Sequence, residues 1–308
     1  MKKVNIILPA YNGEKYIGEQ IESILGQTYG NIDLYIRDDE SRDNTKKIID
    51  SYVGKEPSGK KIIVIDNGRE NWGYVKNVFE TLRLSGEADY YAFCDQDDVW
   101  LPEKIEKQIE MLESKTNNSP ALCFTEFNYC DSQLNYMRDS VKIPQPLELR
   151  NVVYDFIVLN FNIMINKALR DELFQQILDY GAYPHYPDFW MSQVAAGFHG
   201  LYCVPEKLVN YRRNENACSS FNQNKLLLLK WRIENILAGD ETKKIKRELK
   251  KYYECFSYSL NKDDRKLMEM ITKPSVLHYF QKIFYPKRFR NTFSDEVALR
   301  FLFIMGKL

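Results

Sequence analysis

Long hydrophobic runs are missing from this chain. No stretch of its 308 residues approaches the ~20 apolar residues of a membrane-spanning helix. Met1-Lys2-Lys3 and the apolar run behind it have the outline of a signal peptide. Asn5 interrupts that run and Pro9 ends it, so it is too short for one. Cysteine is sparse. The six present (Cys94, Cys123, Cys130, Cys203, Cys218 and Cys255) include no C-x-x-C pair. Neither a zinc site nor a disulfide framework is suggested, and scattered cysteines in apolar runs read as reduced core residues of a cytosolic protein. Histidine is scarcer still, at His185, His199 and His278. The formal net charge is zero, so no global field recruits nucleic acid. What remains, 44% hydrophobic and 28% charged, is ordinary for a soluble globular protein of one large domain, or of one domain with an appendage. Aromatic residues are plentiful at 14%, and they either fill a core or line a groove for a sugar or lipid.

The most informative stretch is Tyr90 to Pro102. An apolar, aromatic run ends in three carboxylates within four residues, Asp95, Asp97 and Asp98, and Pro102 then opens a helix. Carboxylates this close repel one another and resist burial without a counter-charge. A divalent cation is the simplest remedy, and hard oxygen ligands favour Mg²⁺ or Mn²⁺ shared with substrate phosphates. The alternative is a solvated acidic turn in which Asp98 caps the next helix.

Upstream, apolar runs at Val4–Leu8, Ile32–Ile36 and Ile62–Ile65 alternate with helical patterns carrying Ile17, Ile21, Ile24 and Leu25, then Ile48, Ile49 and Val53, with Asp43 placed to cap the second helix. Strand, loop and helix in repetition predict right-handed crossovers and a mainly parallel sheet flanked by helices, with ligands beyond the carboxyl ends of the strands. The loops that begin at Pro9, Asp38, Asn67 and Asp95 all fall at that edge.

Leu8-Pro9-Ala10-Tyr11-Asn12-Gly13, Arg37-Asp38-Asp39-Glu40-Ser41-Arg42-Asp43-Asn44-Thr45, Asn71-Trp72-Gly73 with Asn77, and Cys94-Asp95-Gln96-Asp97-Asp98-Val99-Trp100 resemble glycosyltransferase family 2, and more narrowly its bacterial rhamnosyltransferase-like members. The resemblance covers roughly Lys3 to Arg213. It implies a GT-A fold (a Rossmann-like α/β nucleotide-binding sheet), a nucleotide-diphosphate sugar donor and inversion at the anomeric carbon. Pro9 and Ala10 end the first strand, and Tyr11 offers a ring for a base to stack on. Asp39 is expected to accept from the imide of uracil or thymine; Asp38 shares that task or shapes the turn. Asn71 and Gly73 belong to the loop over the donor, with Asn77 a helical turn later. Asp95, Gln96 and Asp97 form the Asp-x-Asp segment, whose two aspartates are expected to hold the cation on the diphosphate.

Further along, Thr125 and Glu126 end a strand. Residues 131–146 read as a long loop. Asn160 and Asn162 stand where relatives carry small residues. Tyr186-Pro187-Asp188-Phe189-Trp190 resembles the family segment that supplies the general base, with Pro187 in place of a histidine. Asp188 is the expected base, the other reading being a helix N-cap, and Trp190 either stacks on a sugar or sits in the core. Tyr211-Arg212-Arg213-Asn214 resembles a segment often ending in a metal-binding histidine. Asn214 replaces it as the third expected ligand, and Arg212 is expected on the diphosphate.

Residues 1–220 are therefore expected to form the catalytic domain and 221–308 a helical appendage, in which Leu226–Leu229, Trp231, Ile233 and Ile236 are apolar. Between Lys273 and Asn291 basic and aromatic residues interleave without an acid, which suits an anionic membrane surface or a solvated helical bundle. Together these features predict a metal-dependent enzyme at the cytoplasmic face of the cell membrane. It would transfer rhamnose from a dTDP donor, or a hexose from a UDP donor, to a surface glycan or lipid-linked glycan. The rival readings are a nucleotidyltransferase releasing pyrophosphate and a non-catalytic nucleotide-sugar binder.

Overall fold

Strand β1 (Val4–Ala10) is buried along its whole length. Ile7 faces one apolar cluster, and Ile6 and Leu8 the other. A strand buried on both faces needs a helical layer over each, and the rest of the chain provides them. The computed structural model describes residues 1–213 and 240–308, apart from 67, 69, 117, 144, 181 and 182. Its other strands are β2 (Ile32–Asp38), β3 (Lys60–Val64), β4 (Tyr90–Phe93), β5 (Val99–Trp100), β6 (Leu122–Cys130), β7 (Tyr136–Asp139), β8 (Ile163–Asn166) and β9 (Leu201–Arg212). They form one nine-stranded sheet in the order β3-β2-β1-β4-β8-β6-β9-β5, with β7 paired to β6.

Helices α1 (Ile17–Leu25), α2 (Thr45–Tyr52) and α4 (Lys104–Lys115) bury Ile17, Ile21, Ile24, Ile49, Ile105 and Leu112 against the Ile6 side. On the Ile7 side lie α3 (Tyr74–Leu84), α5 (Lys167–Tyr180) and α6 (Pro187–Gly197). The C-terminal helices α7 (Asp240–Phe256), α8 (Lys262–Thr272) and α10 (Phe293–Ile304) send Leu249, Phe256, Met268 and Phe303 into that same cluster, while α9 (Val276–Ile283) buries none of its residues. Helix α6 meets α7 so closely that a Cβ on Gly197 would lie 2.3 Å from the Tyr252 hydroxyl.

The mainly parallel arrangement describes β3, β2, β1 and β4. Beyond β4 the sheet is mixed: β8 runs antiparallel to β4 and β6, whereas β6 and β9 are parallel. Connection chemistry accounts for this. A parallel return needs a crossover, usually a helix. Between β6 and β8 the described residues make β7 and short 3₁₀ turns at Leu149–Asn151 and Asn160–Asn162 but no α-helix, while α5 and α6 separate β8 from β9.

Three local expectations need correction. Residues 131–146 are not all loop. Asp131 accepts from the amides of Gln133 and Asn135, and the turn this makes returns the chain as β7, whose four residues are all exposed and so carry no apolar alternation. Thr125 and Glu126 do not end a strand: β6 runs on to Cys130, and its pairing with the long strand β9 shifts register at those two residues. The backbone N-cap of α2 is Asn44, although Asp43 Oδ1 accepts from Thr45 N. The apolar residues at 226–236 and the proposed boundary at 220 lie outside the described residues.

Candidate active site

The carboxyl ends of β1, β2 and β4 are clasped together by side chains of their loops. Gln96 Oε1 accepts from Tyr11 N at 2.8 Å and its Nε2 donates to Tyr11 O at 2.9 Å, which binds the Asp-x-Asp loop to the loop after β1. A Cβ on Gly13 would lie 2.4 Å from Gln96 Oε1, so the clasp requires glycine there. Asn12 N donates to Ser41 Oγ, and Arg42 N to Asn12 Oδ1, both at 2.8 Å, joining the loops after β1 and β2. The Tyr11 ring is left 45% exposed. Asp38 accepts from Ser41 N and Oγ, and with Ser41, Lys46 and Ile65 lines a cleft at the ends of β2 and β3.

Arg37 and Asp39 form a buried pair, Nη1 to Oδ1 at 2.5 Å, with the Arg37 guanidinium 3.4 Å from the Trp72 ring centroid. Asp39 also accepts from Trp72 N (2.7 Å) and Gly73 N (2.8 Å), and its carbonyl accepts from Asn71 Nδ2. The expected base-binding role for Asp39 is corrected accordingly. It is 3% exposed, and its carboxylate pins the 71–73 loop. Gly73, at φ 73°, gives that loop the left-handed turn that admits it to α3. Asn77 is likewise internal, donating to Arg37 O and accepting from Thr81 Oγ1. Pro9 and Ala10 are buried in β1, where Ala10 O accepts from Asp39 N.

The three neighbouring aspartates take different environments. Asp98 is fully buried and accepts from Arg212 N at 2.9 Å. Asp95 and Asp97 are half-buried. Arg212 is not open to a diphosphate. Its guanidinium is 2% exposed and donates to Asp97 O (2.8 Å), Ser132 O (2.7 Å) and Glu19 Oε2 (2.6 Å), so it braces the Asp-x-Asp loop from behind.

Helix α6 is buried at every residue except Asp188. Trp190 is therefore a core residue, edge-on to Tyr252 and Phe256, and cannot stack on a sugar. Tyr186 holds the N-cap position and Pro187 begins the helix, so Asp188 is not the cap. Its Oδ1 accepts from Phe189 N at 2.8 Å. Burial pushes its pKa up to about 6, against amide hydrogen bonds from Phe189, its own N–H and Asn160.

Asn160 links the two acidic centres: its backbone amide serves Asp188, and its Nδ2 donates to Asp95 Oδ1 at 3.4 Å. Tyr74 Oη donates to the same Asp95 oxygen at 3.1 Å. Burial, then the charges of Asp95 and Asp188, hold the Tyr74 hydroxyl well above its usual pKa. Burial and the neighbouring Asp97 raise Asp95 to about 7, and Asp188 adds to the rise. Asp95 and Asp188 thus share one electrostatic site. Sequence reading passed over Arg37, Tyr74 and the bridging role of Asn160. An arginine one residue before an Asp-Asp pair was the only local signal among them.

Among the described residues, no group of three or more His, Cys, Asp or Glu side chains gathers into a metal position. The donor set of Asp95 and Asp97 still fits a hard divalent cation. Their repulsion is what such an ion relieves, and Mg²⁺ needs only one or two carboxylates when phosphate and water complete its shell. Asn214, the third expected ligand, lies outside the described residues.

Known proteins resemble this arrangement. A putative teichuronic acid biosynthesis glycosyltransferase, TuaG of Bacillus subtilis, is 27% identical over 70% of this chain and 81% of its own. The Escherichia coli UDP-Glc:alpha-D-GlcNAc-diphosphoundecaprenol beta-1,3-glucosyltransferase WfgD is 36% identical over 35% of this chain and 40% of its own. Rickettsial relatives are matched over 68%, 56%, 23% and 21% of their lengths, so the chain spans only part of several of them. The crystal structure of S. aureus TarS 1-349 in complex with UDP-GlcNAc superposes with a TM-score of 0.52 at 16% identity, covering 88% of this chain and 79% of that one. That likeness speaks to the fold, which is GT-A. The model of the family Glycosyl transferase family 2 matches residues 5–178, strands β1 to β8 with the Asp-x-Asp loop among them, and the chain belongs to that family.

Proposed function

We propose that this chain is an inverting glycosyltransferase that moves a sugar from a nucleotide-diphosphate donor to a hydroxyl of a cell-surface glycan or lipid-linked glycan, with Asp188 as general base. One observation carries the reading. The single residue of α6 left unburied is a carboxylate, and it shares its electrostatic environment with Asp95 of the Asp-x-Asp loop. In an inverting transfer the acceptor oxygen attacks the anomeric carbon from the face opposite the diphosphate. The bond to the diphosphate breaks with its electron pair leaving on the phosphate oxygen, and the hydroxyl proton passes to Asp188. A carboxylate near pKa 6 is unprotonated at neutral pH and basic enough to accept that proton.

Tyr11 and the Asp38 cleft are the proposed seat of the base and ribose, and the 71–73 loop lies beside the donor. Asp95 and Asp97 would hold Mg²⁺ or Mn²⁺, which when bound supplies charge neutralisation to the leaving diphosphate. On the acceptor side, Glu126, Phe156 and Leu159 line a cleft next to Asn160, and Phe156 stacks on Phe189 with ring centroids 4.5 Å apart. Among the described residues no helix is long and apolar enough to cross a membrane. TuaG is named for teichuronic acid biosynthesis and WfgD for a diphosphoundecaprenol-linked acceptor; both names support that acceptor class, and a site at the cytoplasmic face is part of the proposal. Donors to screen are dTDP-rhamnose and the UDP-hexoses.

The test is Asp188→Asn. Transfer should fall at least ~10²-fold, the usual contribution of a positioned base, while a nucleotide-sugar still raises the melting temperature in the presence of Mn²⁺. Unchanged turnover would remove Asp188 as the base. Mass spectrometry of the products should show a nucleoside diphosphate; pyrophosphate would mean nucleotidyl transfer instead.

A further inference from the structure

Two features of the C-terminal helices are unused by the site at the sheet edge. The first is a groove of about 920 Å³ between α7, the α8–α9 turn and residues 306–308, lined by Lys246, Arg247, Lys250, Lys273, His278 and Lys282 and, among the described residues, by no Asp or Glu side chain. Lys250 reaches Glu254 on α7 (3.7 Å), Lys273, just past the end of α8, reaches Glu269 (2.8 Å), and Lys282 Nζ donates to Leu308 O at 2.8 Å. Lys246 and Arg247 have no acidic partner among the described residues. Burial lowers the pKa of Lys246 and of Lys282, and the charge of Lys246 lowers Lys282 further. Cations crowded in this way are relieved by a bound anion.

The second feature is an apolar face turned outward. On α9 and the residue just after it, Val276, Leu277, Phe280 and Phe284 recur at helical spacing and are 77%, 65%, 51% and 75% exposed. Helix α10 leaves Phe293, Val297, Phe301 and Ile304 more than half exposed along one stripe. The two helices are tied by Tyr279 Oη to Ile304 O (2.7 Å) and Arg300 Nη1 to Ile283 O (3.0 Å). Val276 and Phe280 also line the basic groove, so apolar stripe and cationic groove meet on α9. Contiguous exposed apolar surface of this kind marks an interaction site.

We propose that this surface seats the protein on an anionic phospholipid bilayer, with Leu277, Phe280 and Phe284 among the acyl chains and Lys246, Arg247 and Lys282 on the headgroup phosphates. Charge complementarity selects this occupant. A two-fold contact between copies of the chain through the same patch would set one basic groove against another.

Vesicle sedimentation of the whole chain tests this, comparing pure phosphatidylcholine with vesicles holding ~30 mol% phosphatidylglycerol at ~0.1 M salt, where surface attraction reaches about a nanometre. Partitioning should be at least tenfold stronger on the anionic vesicles and should fall as salt rises. Lys246→Glu with Arg247→Glu should lose at least tenfold on anionic vesicles, given about fivefold for each basic side chain removed, with no change on phosphatidylcholine. Phe280→Ser with Phe284→Ser should weaken binding to both. Equal partitioning of the unmodified chain onto the two vesicles, or none onto either, overturns the proposal; so does a stable dimer in sedimentation velocity that the serine pair dissolves. If a double variant does not fold, the comparison of vesicles with the unmodified chain decides by itself. Binding is read without donor or acceptor, so its failure and a failure of the Asp188 assignment are separate results.

Discussion

At the scale of single residues, the site depends on how burial and hydrogen bonds divide work among similar side chains. Three aspartates lie within four positions, yet Asp98 turns inward to the amide of Arg212 while Asp95 meets Tyr74 and Asn160. Asp188 titrates near 6, and a general base acts unprotonated. The acidic limb of kcat/KM should therefore bend near pH 6 and drop about tenfold for each pH unit below it; a flat profile down to pH 5 would contradict the assignment. The stability effect has the opposite sense. The folded pKa of about 6 lies above the ordinary aspartate value of 3.8, so this group adds stability as pH falls from 6 towards 3.8 and loses it as pH rises through 6. Asn160 offers a second test. It is 4% exposed, and its Oδ1 has no hydrogen-bond partner among the described residues. Asn160→Ala keeps the backbone amide on Asp188 but loses the link to Asp95, so kcat should fall about 10–100-fold while the Asp188 limb of the pH profile stays in place. A limb that moves with the substitution would show that the side chain, rather than the amide, sets the base.

Among elements, the 71–73 loop shows how one buried ion pair holds a ligand-facing segment. Arg37 and Asp39 sit at the end of β2, and the loop hangs from Asp39 through two amides and from Arg37 through Glu70 O and the Trp72 ring. Removing one partner of a buried pair strands the other charge. Arg37→Ala should cost about 3–5 kcal/mol, measured by denaturant unfolding, and should weaken donor affinity more than it lowers kcat. The strand–loop–helix order of the first hundred residues was legible because its strands are short continuous apolar runs and its helices carry apolar residues at helical spacing. β7 escaped because all four of its residues are exposed, and α5 because its sequence carries only a weak apolar stripe.

Across the whole molecule, the C-terminal helices share a core with the catalytic sheet. Phe256 is fully buried against Trp190 and Tyr252, and Trp190 follows the proposed base by two residues. Phe256→Ala should cost about 3–5 kcal/mol and lower the melting temperature of the entire chain in a single transition. A separate low-temperature transition, leaving nucleotide binding intact, would show instead that the appendage unfolds by itself. The sequence alone determined which loops gather at the carboxyl edge of the first four strands, because apolar periodicity and right-handed crossovers place strand ends without any knowledge of side-chain partners. Only the tertiary structure decided which polar residues face that edge. Asn160 reaches Asp95 across 65 positions and Arg212 reaches Asp98 across 114. The exposure of a polar group is set by partners that far along the chain, and no local pattern encodes them.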